Sequence, residues 1–396
     1  MDIYYQSKKF KRLLQRYEEL RDNNISEFLD SEDLTDVAEY YYSIGQDEKA
    51  LETANYTNHL YPTATAPLAF KARMALLTYN NPTLANEIAE TIVDKSDLDY
   101  LYLKAEIMIA DNQVNKADQY LQEQYDNVID EDDHEEFVID AAALFADYEE
   151  IDYAEKWLNQ STMINEDEYK EIKVRILKGQ GKYEASETLI NKLIDGNPYS
   201  CAYWNQLTQI QFLRNDVQGA ITSSEYALAI NPNDEEALLN KANGLFSLDN
   251  FVESLKYYQQ YRQTCHHVDF SIIDVTIGHL YLILGHPKEA LDFYFQSITE
   301  SENKDQALIN VAISIFDNGY FELTYRILIN YLPNAAKDWT EGFAYLARCC
   351  YELKKTEEYK QFLQIAIERN PRECQDVLSD LYPPGTEIKD YPSINI

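Results

Sequence analysis

The sequence predicts an all-α protein built from tandem pairs of helices. Its 396 residues include only 11 glycines and 11 prolines, which is too few for the many turns of a β fold and is typical of long helices with short connections. A pattern of small and aromatic residues also recurs about every 34 residues. Hydrophobic residues make up 45% of the chain, enough to fill a large core.

The recurring pattern is clearest in residues 271–304. A large apolar residue and a small one, Ile277 and Gly278, precede a turn glycine at Gly285 and a second small residue at Ala290. Two helices that pack closely need small side chains where they cross. The turn between them needs a residue that adopts a left-handed conformation at low cost. The spacing therefore predicts a helix, a tight turn and a second helix.

Residues 31–64 repeat the pattern with Ala38, Gly45 and Ala50, and weaker copies fill the chain between and beyond these two. The units are predicted to begin near residues 31, 65, 98, 135, 167, 201, 235, 271, 305 and 340. Over residues 31–373 the sequence resembles the tetratricopeptide repeat family. That resemblance implies a right-handed superhelical solenoid whose first helices line a concave, protein-binding groove. HEAT-type solenoids, the alternative, have longer units of about 40–47 residues.

Both ends of the array are predicted to be capped. Residues 1–30 contain a basic helix with Phe10 and Leu13 on its apolar face. Apolar residues at helical spacing predict a C-terminal capping helix over residues 372–381. Residues 382–396 hold three prolines and show no periodicity, so we expect an extended or disordered tail there.

The charge of the chain excludes two classes of partner. The chain has 69 acidic and 34 basic residues, for a formal net charge of −35. Binding of nucleic acid requires a basic face, and anionic membranes favour basic proteins, so we expect neither partner. No apolar stretch approaches the ~20 residues of a membrane span, and the first residues lack the apolar segment of a signal peptide. We therefore expect a cytoplasmic protein.

No group of residues predicts catalysis or a cofactor. Segment 265–269 offers Cys, His, His and Asp, but neighbouring ligands on one connection do not converge on zinc. The acidic segment 126–136 lacks the spacing of a calcium loop. Of Cys349 and Cys350, one is predicted to face the core and the other the groove or solvent. We expect no metal, no cofactor and no enzymatic activity.

The resemblance also indicates which positions line the groove. In the family these are positions 2, 5, 6 and 9 of each first helix. Here they are acidic in the first unit, with Glu32, Asp36 and Glu39, and polar but nearly uncharged in the central units. Amide side chains can both donate to and accept from a peptide main chain, and an acidic chain favours a partner with basic character. The predicted contact residues are Asn205, Gln206, Gln209, Asn240, Asn243, His279, Gln306 and Asn310.

The leading hypothesis is therefore a non-catalytic scaffold that binds a protein or peptide in its groove. The alternative is self-association, in which the basic N-terminal helix of one copy docks on an acidic face of another. An enzyme with a site built into the solenoid is the third hypothesis.

Overall fold

The computed structural model describes residue 5 and residues 7–23, 29–127, 133–265, 269–336 and 338–394. Within these ranges the regular structure is α-helix with short 3-10 segments, and there are no strands. The chain divides into two compact units, residues 1–230 and 231–396.

The first unit begins with a single helix, and the helices after it pair in sequence, each packing against the next. Its helices are α1 (Lys8–Asn23), α2 (Ser31–Ser43), α3 (Asp47–Leu60), α4 (Thr65–Leu77), α5 (Pro82–Ala89), α6 (Leu98–Ala110), α7 (Val114–Asn127), α8 (His134–Asp147), α9 (Ile151–Leu158), α10 (Asp167–Gly179), α11 (Tyr183–Gly196), α12 (Cys201–Leu213) and α13 (Val217–Ile230).

The second unit continues with helix pairs and ends in a short capping helix. Its helices are α14 (Glu235–Ser247), α15 (Phe251–Thr264), α16 (Ser271–Ile283), α17 (Pro287–Glu300), α18 (Lys304–Asp317), α19 (Phe321–Tyr331), α20 (Phe343–Glu352), α21 (Thr356–Arg369) and α22 (Pro371–Leu378). In most pairs the first helix begins at the predicted start of a unit. The exceptions are α8, α18 and α20, which begin at His134, Lys304 and Phe343 rather than at 135, 305 and 340.

Small residues lie where the two helices of a pair cross. The fourth position of the second helix is a fully buried alanine in six pairs of the described chain: Ala50, Ala85, Ala117, Ala154, Ala220 and Ala290. An alanine there lets the two backbones approach, and the larger apolar side chains around it interlock.

In three other pairs a buried hydroxyl replaces this alanine. Ser186 donates to the carbonyl oxygen of Val174 at 2.9 Å, and Ser254 donates to that of Ala242 at 2.9 Å. Thr324 occupies the equivalent place in α19 and is also fully buried. In each case the hydroxyl donates a hydrogen bond to a main-chain carbonyl oxygen of the first helix, so the buried polar group has a partner.

Each turn between the helices of a pair contains a residue with positive φ. Glycine or asparagine fills it where the repeat pattern is strong, as at Gly285 and Asn215. Glu149, Asp249 and Lys354 adopt the same conformation, with φ of 58–59°. The left-handed residue closes the first helix, so the turn geometry imposes it even on residues that disfavour it.

The N-terminal helix α1 packs on the first pair through buried Phe10, Leu13 and Tyr17. The Tyr17 hydroxyl lies 2.9 Å from the Thr53 hydroxyl of α3. Helix α1 therefore covers the open end of the array with its apolar face, as capping requires.

The C-terminal segment differs from its prediction. Residues 382–394 are folded, and Ile388–Ser393 form a 3-10 helix. Tyr391 is only 2% exposed and stacks on Tyr382 with ring centroids 3.8 Å apart, while the Tyr382 hydroxyl bonds to that of Tyr359. The prediction of an extended or disordered tail was wrong because single buried aromatic residues hold the segment without any helical periodicity.

The two adjacent cysteines also differ from their prediction. Cys349 and Cys350 are both fully buried. Their helix, α20, packs against α21 on one side and against the capping helix α22 on another. Because two faces of α20 are covered, neighbouring residues that point about 100° apart can both be in the core.

Candidate protein-interaction surface

A partly exposed stripe of side chains runs along α16 in the second unit. Ile272, Thr276 and His279 are spaced four and three residues apart, so they share one face of the helix. Ile272 is 65% exposed and lies at the N-terminal end of this face, next to polar side chains further along the helix. Helix α16 packs against α18, so the stripe continues onto the next first helix.

His279 is held in a defined orientation by α18 and by Asn318, the residue that follows this helix. Its Nδ1 atom lies 2.8 Å from the amide nitrogen of Asn318 and 3.2 Å from the hydroxyl of Ser314. The Ser314 hydroxyl is in turn 2.7 Å from the hydroxyl of Tyr294. Because the Asn318 amide donates to Nδ1, the neutral imidazole carries its proton on Nε2. Nε2 has no partner among the described residues, so its N–H can donate to a ligand.

Two amides on α18 lie next to this histidine stripe. Gln306 donates to a carboxylate oxygen of Glu341 at 2.7 Å and to the side-chain oxygen of Asn310 at 3.3 Å. These bonds fix both side chains. The amide nitrogen of Asn310 makes no hydrogen bond within the part of the chain that the structure describes, so it too can donate to a ligand.

Helix α14 supplies the amides predicted at positions 240 and 243. The side-chain oxygen of Asn243 accepts a hydrogen bond from the Tyr258 hydroxyl at 2.5 Å, and the residue as a whole is exposed. The amide nitrogen of Asn240 is buried and has no hydrogen-bond partner in the described chain. Phe246, on the same helix, contacts the His279 ring, with centroids 6.0 Å apart.

The remaining predicted contacts belong to the first unit. Asn205 is buried, at 4% exposure, so a partner cannot reach it, contrary to the prediction. Gln209 accepts a hydrogen bond from the Lys178 ammonium at 2.8 Å, and Gln206 is partly buried beside it on α12. Counting positions within a repeat does not separate the groove surface from the packing surface between neighbouring helices, which is why Asn205 was misplaced.

We call the surface of the second unit the first-helix strip. It consists of Asn243, Ile272, Thr276, His279, Gln306 and Asn310. Sequence reasoning missed Ile272, although it occupies position 2 of its unit, because only polar residues were counted as contacts. It also missed Ser314 and Asn318, which orient His279 and lie outside the counted positions.

The first unit has a more acidic lining, and one arginine lies within it. Burial, together with the charges of Asp36 and Asp99, raises the pKa of Glu39 above the ordinary carboxyl value. Arg73 donates to Glu106 at 3.1 Å, and the other oxygen of Glu106 accepts from the Tyr148 hydroxyl at 3.1 Å. Glu32 and Asp36, the other two acidic residues predicted to line the groove, lie on α2 with Glu39.

The structure describes only part of the two segments, 126–136 and 265–269, that the sequence analysis considered as metal sites. His266 and His267 lie outside the described residues, as do Asp130 and Asp132. Within the described ranges no group of three or more His, Cys, Asp or Glu side chains could hold a metal ion. No helix of the described chain is both long and apolar enough to cross a membrane.

Helix pairs with a left-handed turn residue, and in nine of the ten described pairs a small residue at the crossing, define the architecture. The chain has the tetratricopeptide-repeat fold. No protein-family model and no curated protein matches the sequence.

Several solved structures are similar at low identity. The crystal structure of YrrB, a TPR protein with an unusual peptide-binding site, is 13% identical with a TM-score of 0.35; the match covers 49% of this chain and 98% of YrrB. PilF of Pseudomonas aeruginosa is 13% identical with a TM-score of 0.40, over 54% of this chain and 98% of PilF. A chain of the APC/C hetero-tetramer Cut9-Hcn1 is 12% identical with a TM-score of 0.36, over 97% of this chain and 93% of that one.

Proposed function

We propose that this protein is an interaction scaffold that binds an extended polypeptide on the first-helix strip of its second unit. The observation that carries the proposal is Ile272, 65% exposed on the same helix face as His279. An exposed aliphatic side chain flanked by polar donors suits a ligand that buries one apolar side chain and presents its main chain.

The strip offers hydrogen-bond donors to such a ligand. His279 Nε2, the Asn310 amide and the exposed Asn243 side chain lie on three successive first helices of the second unit. Each hydrogen bond to a main-chain carbonyl contributes only about 0.5–1.5 kcal/mol net. Useful affinity therefore requires several of these bonds together with burial of Ile272.

The charges of the second unit favour a partner with basic character. Arg348, a cation at a groove position of α20, already donates to Glu352 at 2.9 Å and to Asp380 at 2.5 Å. It is therefore not free to pair with a carboxylate of a partner. With a net charge of −35 on the whole chain, approach of a basic segment is electrostatically assisted at low salt.

The test uses a displayed library of random peptides selected on the full-length chain. We expect selected peptides to contain Lys or Arg together with an apolar residue. Ile272→Ser should weaken their binding roughly tenfold, because burying an aliphatic side chain contributes about 1.5–3 kcal/mol. The matched control is Leu291→Ser on α17, which is 54% exposed and lies outside the strip. Equal losses for the two variants, or peptides without basic residues, would refute the proposal.

A second variant separates the hydrogen bonds from the apolar contact. Asn310→Ala together with His279→Ala removes two donors and should weaken the selected peptides while leaving the helical circular-dichroism spectrum unchanged. If this double variant binds as tightly as wild type, the ligand is not recognised through its main chain at these positions.

A further inference from the structure

The N-terminal helix α1 carries a cluster of cations that no carboxylate of the described residues contacts. We call Lys8, Lys9, Lys11 and Arg12 the basic face; all four are exposed. Within the described residues, none of their side chains makes a hydrogen bond or an ion pair. The protein has 69 acidic and 34 basic residues, so such a cluster of cations without carboxylates stands apart from the acidic character of the chain.

Many other cations of the first unit are paired with carboxylates. Lys104 contacts Glu90 at 2.8 Å, Lys173 contacts Glu155 at 2.8 Å, and several more lysines and arginines are arranged in the same way. Further examples in this unit are the pairs of Arg21 with Glu52, Arg73 with Glu106, Lys95 with Glu90, Lys156 with Asp118, Lys170 with Asp167, Arg175 with Asp147 and Arg214 with Glu187.

The placement of the basic face is locally unfavourable for the helix. Lys8, Lys11 and Arg12 are three and four residues apart, so like charges are neighbours on one face and repel each other. They also lie in the first turns of α1, where the helix dipole is positive and disfavours cations. The first turn of α1 has no acidic residue, whereas that of α2 has Glu32 and Asp33. An anion laid across the basic face would relieve both repulsions.

The helix that carries the basic face is anchored to the rest of the first unit. Phe10, Leu13 and Tyr17 on the opposite side of α1 are buried and anchor the helix to the first pair. Lys9 acts on one carboxyl group of the first pair, that of Asp33: burial raises the pKa of Asp33, and the charges of Lys9 and Arg16 act to lower it. Asp33 forms no ion pair with Lys9, so the charges of the cluster remain directed to solvent.

We propose that the basic face is a second docking surface, and that it binds a short acidic segment of a partner protein. It is independent of the first-helix strip, so failure of one does not imply failure of the other. A chain with both surfaces can hold a basic segment in its second unit and an acidic segment on α1 at the same time, which is what a bridging scaffold requires.

The dimensions of the cluster favour a short peptide over an extended polyanion. From Lys8 to Arg12 the helix rises about 6 Å, which matches two or three residues of an extended chain at about 3.3 Å each. A nucleic-acid duplex or a bilayer extends far beyond this patch, so its negative charge would also lie close to the acidic surface of the rest of the protein. Charges within a Debye length of about 8 Å still interact at physiological salt, so those surfaces are repelled where a short peptide is not.

The experiment measures binding of a fluorescein-labelled hexaglutamate peptide to the full-length protein by fluorescence anisotropy. In the cluster variant, the four cations of the basic face are changed to glutamine. In the matched control, four exposed and unpaired cations elsewhere are changed to glutamine, which alters the net charge equally. These control positions are Lys192, Lys288, Lys304 and Arg372.

We expect wild type to bind the peptide, with affinity that falls steeply between ~50 and ~200 mM salt. The cluster variant should bind at least roughly tenfold more weakly, and the control variant within about threefold of wild type. A variant that keeps the charge, with Lys8, Lys9 and Lys11 changed to arginine, should bind like wild type and shows that any loss is electrostatic rather than a folding defect. Ile272→Ser should also bind hexaglutamate like wild type.

Three results would overturn the proposal. They are no binding of hexaglutamate by wild type, equal binding by the cluster variant, and equal losses in the cluster and control variants. Tighter binding of a single-stranded RNA or of phosphatidylserine vesicles than of the peptide, lost in the cluster variant, would assign the surface to a different class of partner and would also overturn it.

Discussion

The crossing of α16 and α17 offers a sharp test of how the repeats pack. Gly278 of α16 faces the ring of Tyr294, and a Cβ atom built on Gly278 would lie 2.7 Å from Cδ1 and 3.0 Å from Cζ of that ring. Carbon atoms pack at about 3.5–4.0 Å. Gly278→Ala must therefore displace a tyrosine whose hydroxyl is bonded to Ser314 at 2.7 Å in the interior.

The expected magnitude follows from three opposing contributions. Overpacking costs about 1–3 kcal/mol, and a strained buried hydrogen bond costs about 1 kcal/mol more. Replacing glycine by alanine inside a helix recovers about 1 kcal/mol. We expect Gly278→Ala to lower the free energy of unfolding by about 1–3 kcal/mol.

The control is another helical glycine without neighbours. Nothing lies within 4 Å of a Cβ at Gly196, so Gly196→Ala should be neutral or stabilising by up to about 1 kcal/mol. Urea denaturation followed by circular dichroism gives both free energies, and hydrogen exchange shows whether the loss is confined to α16 and α17. If Gly278→Ala were stabilising like Gly196→Ala, the two helices could not approach as closely as described.

Three further predictions concern polar and aromatic contacts. Hydrogen bonds from Thr162 and Ser161 lower the pKa of Glu135 against the effect of its burial, so Glu135 stabilises the fold above its ordinary pKa, and this stability is lost as pH falls through the lowered value. The melting temperature of Glu135→Gln should therefore fall less steeply than that of wild type as pH is lowered, and an unchanged pH profile would contradict this. Asp274 is fully buried against Arg262, so Arg262→Ala should lower the free energy of unfolding by about 3–5 kcal/mol at neutral pH, and by less in acid, where the Asp274 carboxyl is protonated. A loss of stability that does not depend on pH would exclude the buried charge as its cause. Tyr391→Ala should weaken the packing of the C-terminal segment against the helices by about 3 kcal/mol, which would be seen as rapid proteolysis after residue 382. Resistance to proteolysis equal to that of wild type would show that Tyr391 does not hold the segment in place.

The repeat fold could be predicted because it depends on local features. Helix propensity, small residues at the crossings and glycine or asparagine in the turns recur at one period, and each is visible in the sequence alone. Turn residues such as Lys354 could not be predicted, because the left-handed conformation there is imposed by the two helices rather than preferred by the residue.

The errors arose where tertiary contacts decide the outcome. The C-terminal segment is held by Tyr382 and Tyr391, whose burial depends on an apolar surface supplied by α21 and α22. Cys349 and Cys350 are both buried because α22 covers a second face of α20. Neither contact leaves a periodic pattern in the sequence.

The candidate surface was only partly predictable for the same reason. Groove positions counted along a first helix predict His279 and Asn310, which are partly exposed, but they also place Asn205 at the surface, although it is buried. The role of Asn318 in fixing the tautomer of His279 depends on contact between α16 and α18, which no local pattern encodes.

The most direct test of the scaffold proposal is hydrogen exchange of the full-length protein with and without a library-selected peptide. We expect the bound peptide to slow exchange in α16 and α18, the helices that carry Ile272, His279 and Asn310, and to leave α17 and α1 unchanged. Protection confined to α17 or α1, or no protection at saturating peptide, would contradict binding at the first-helix strip.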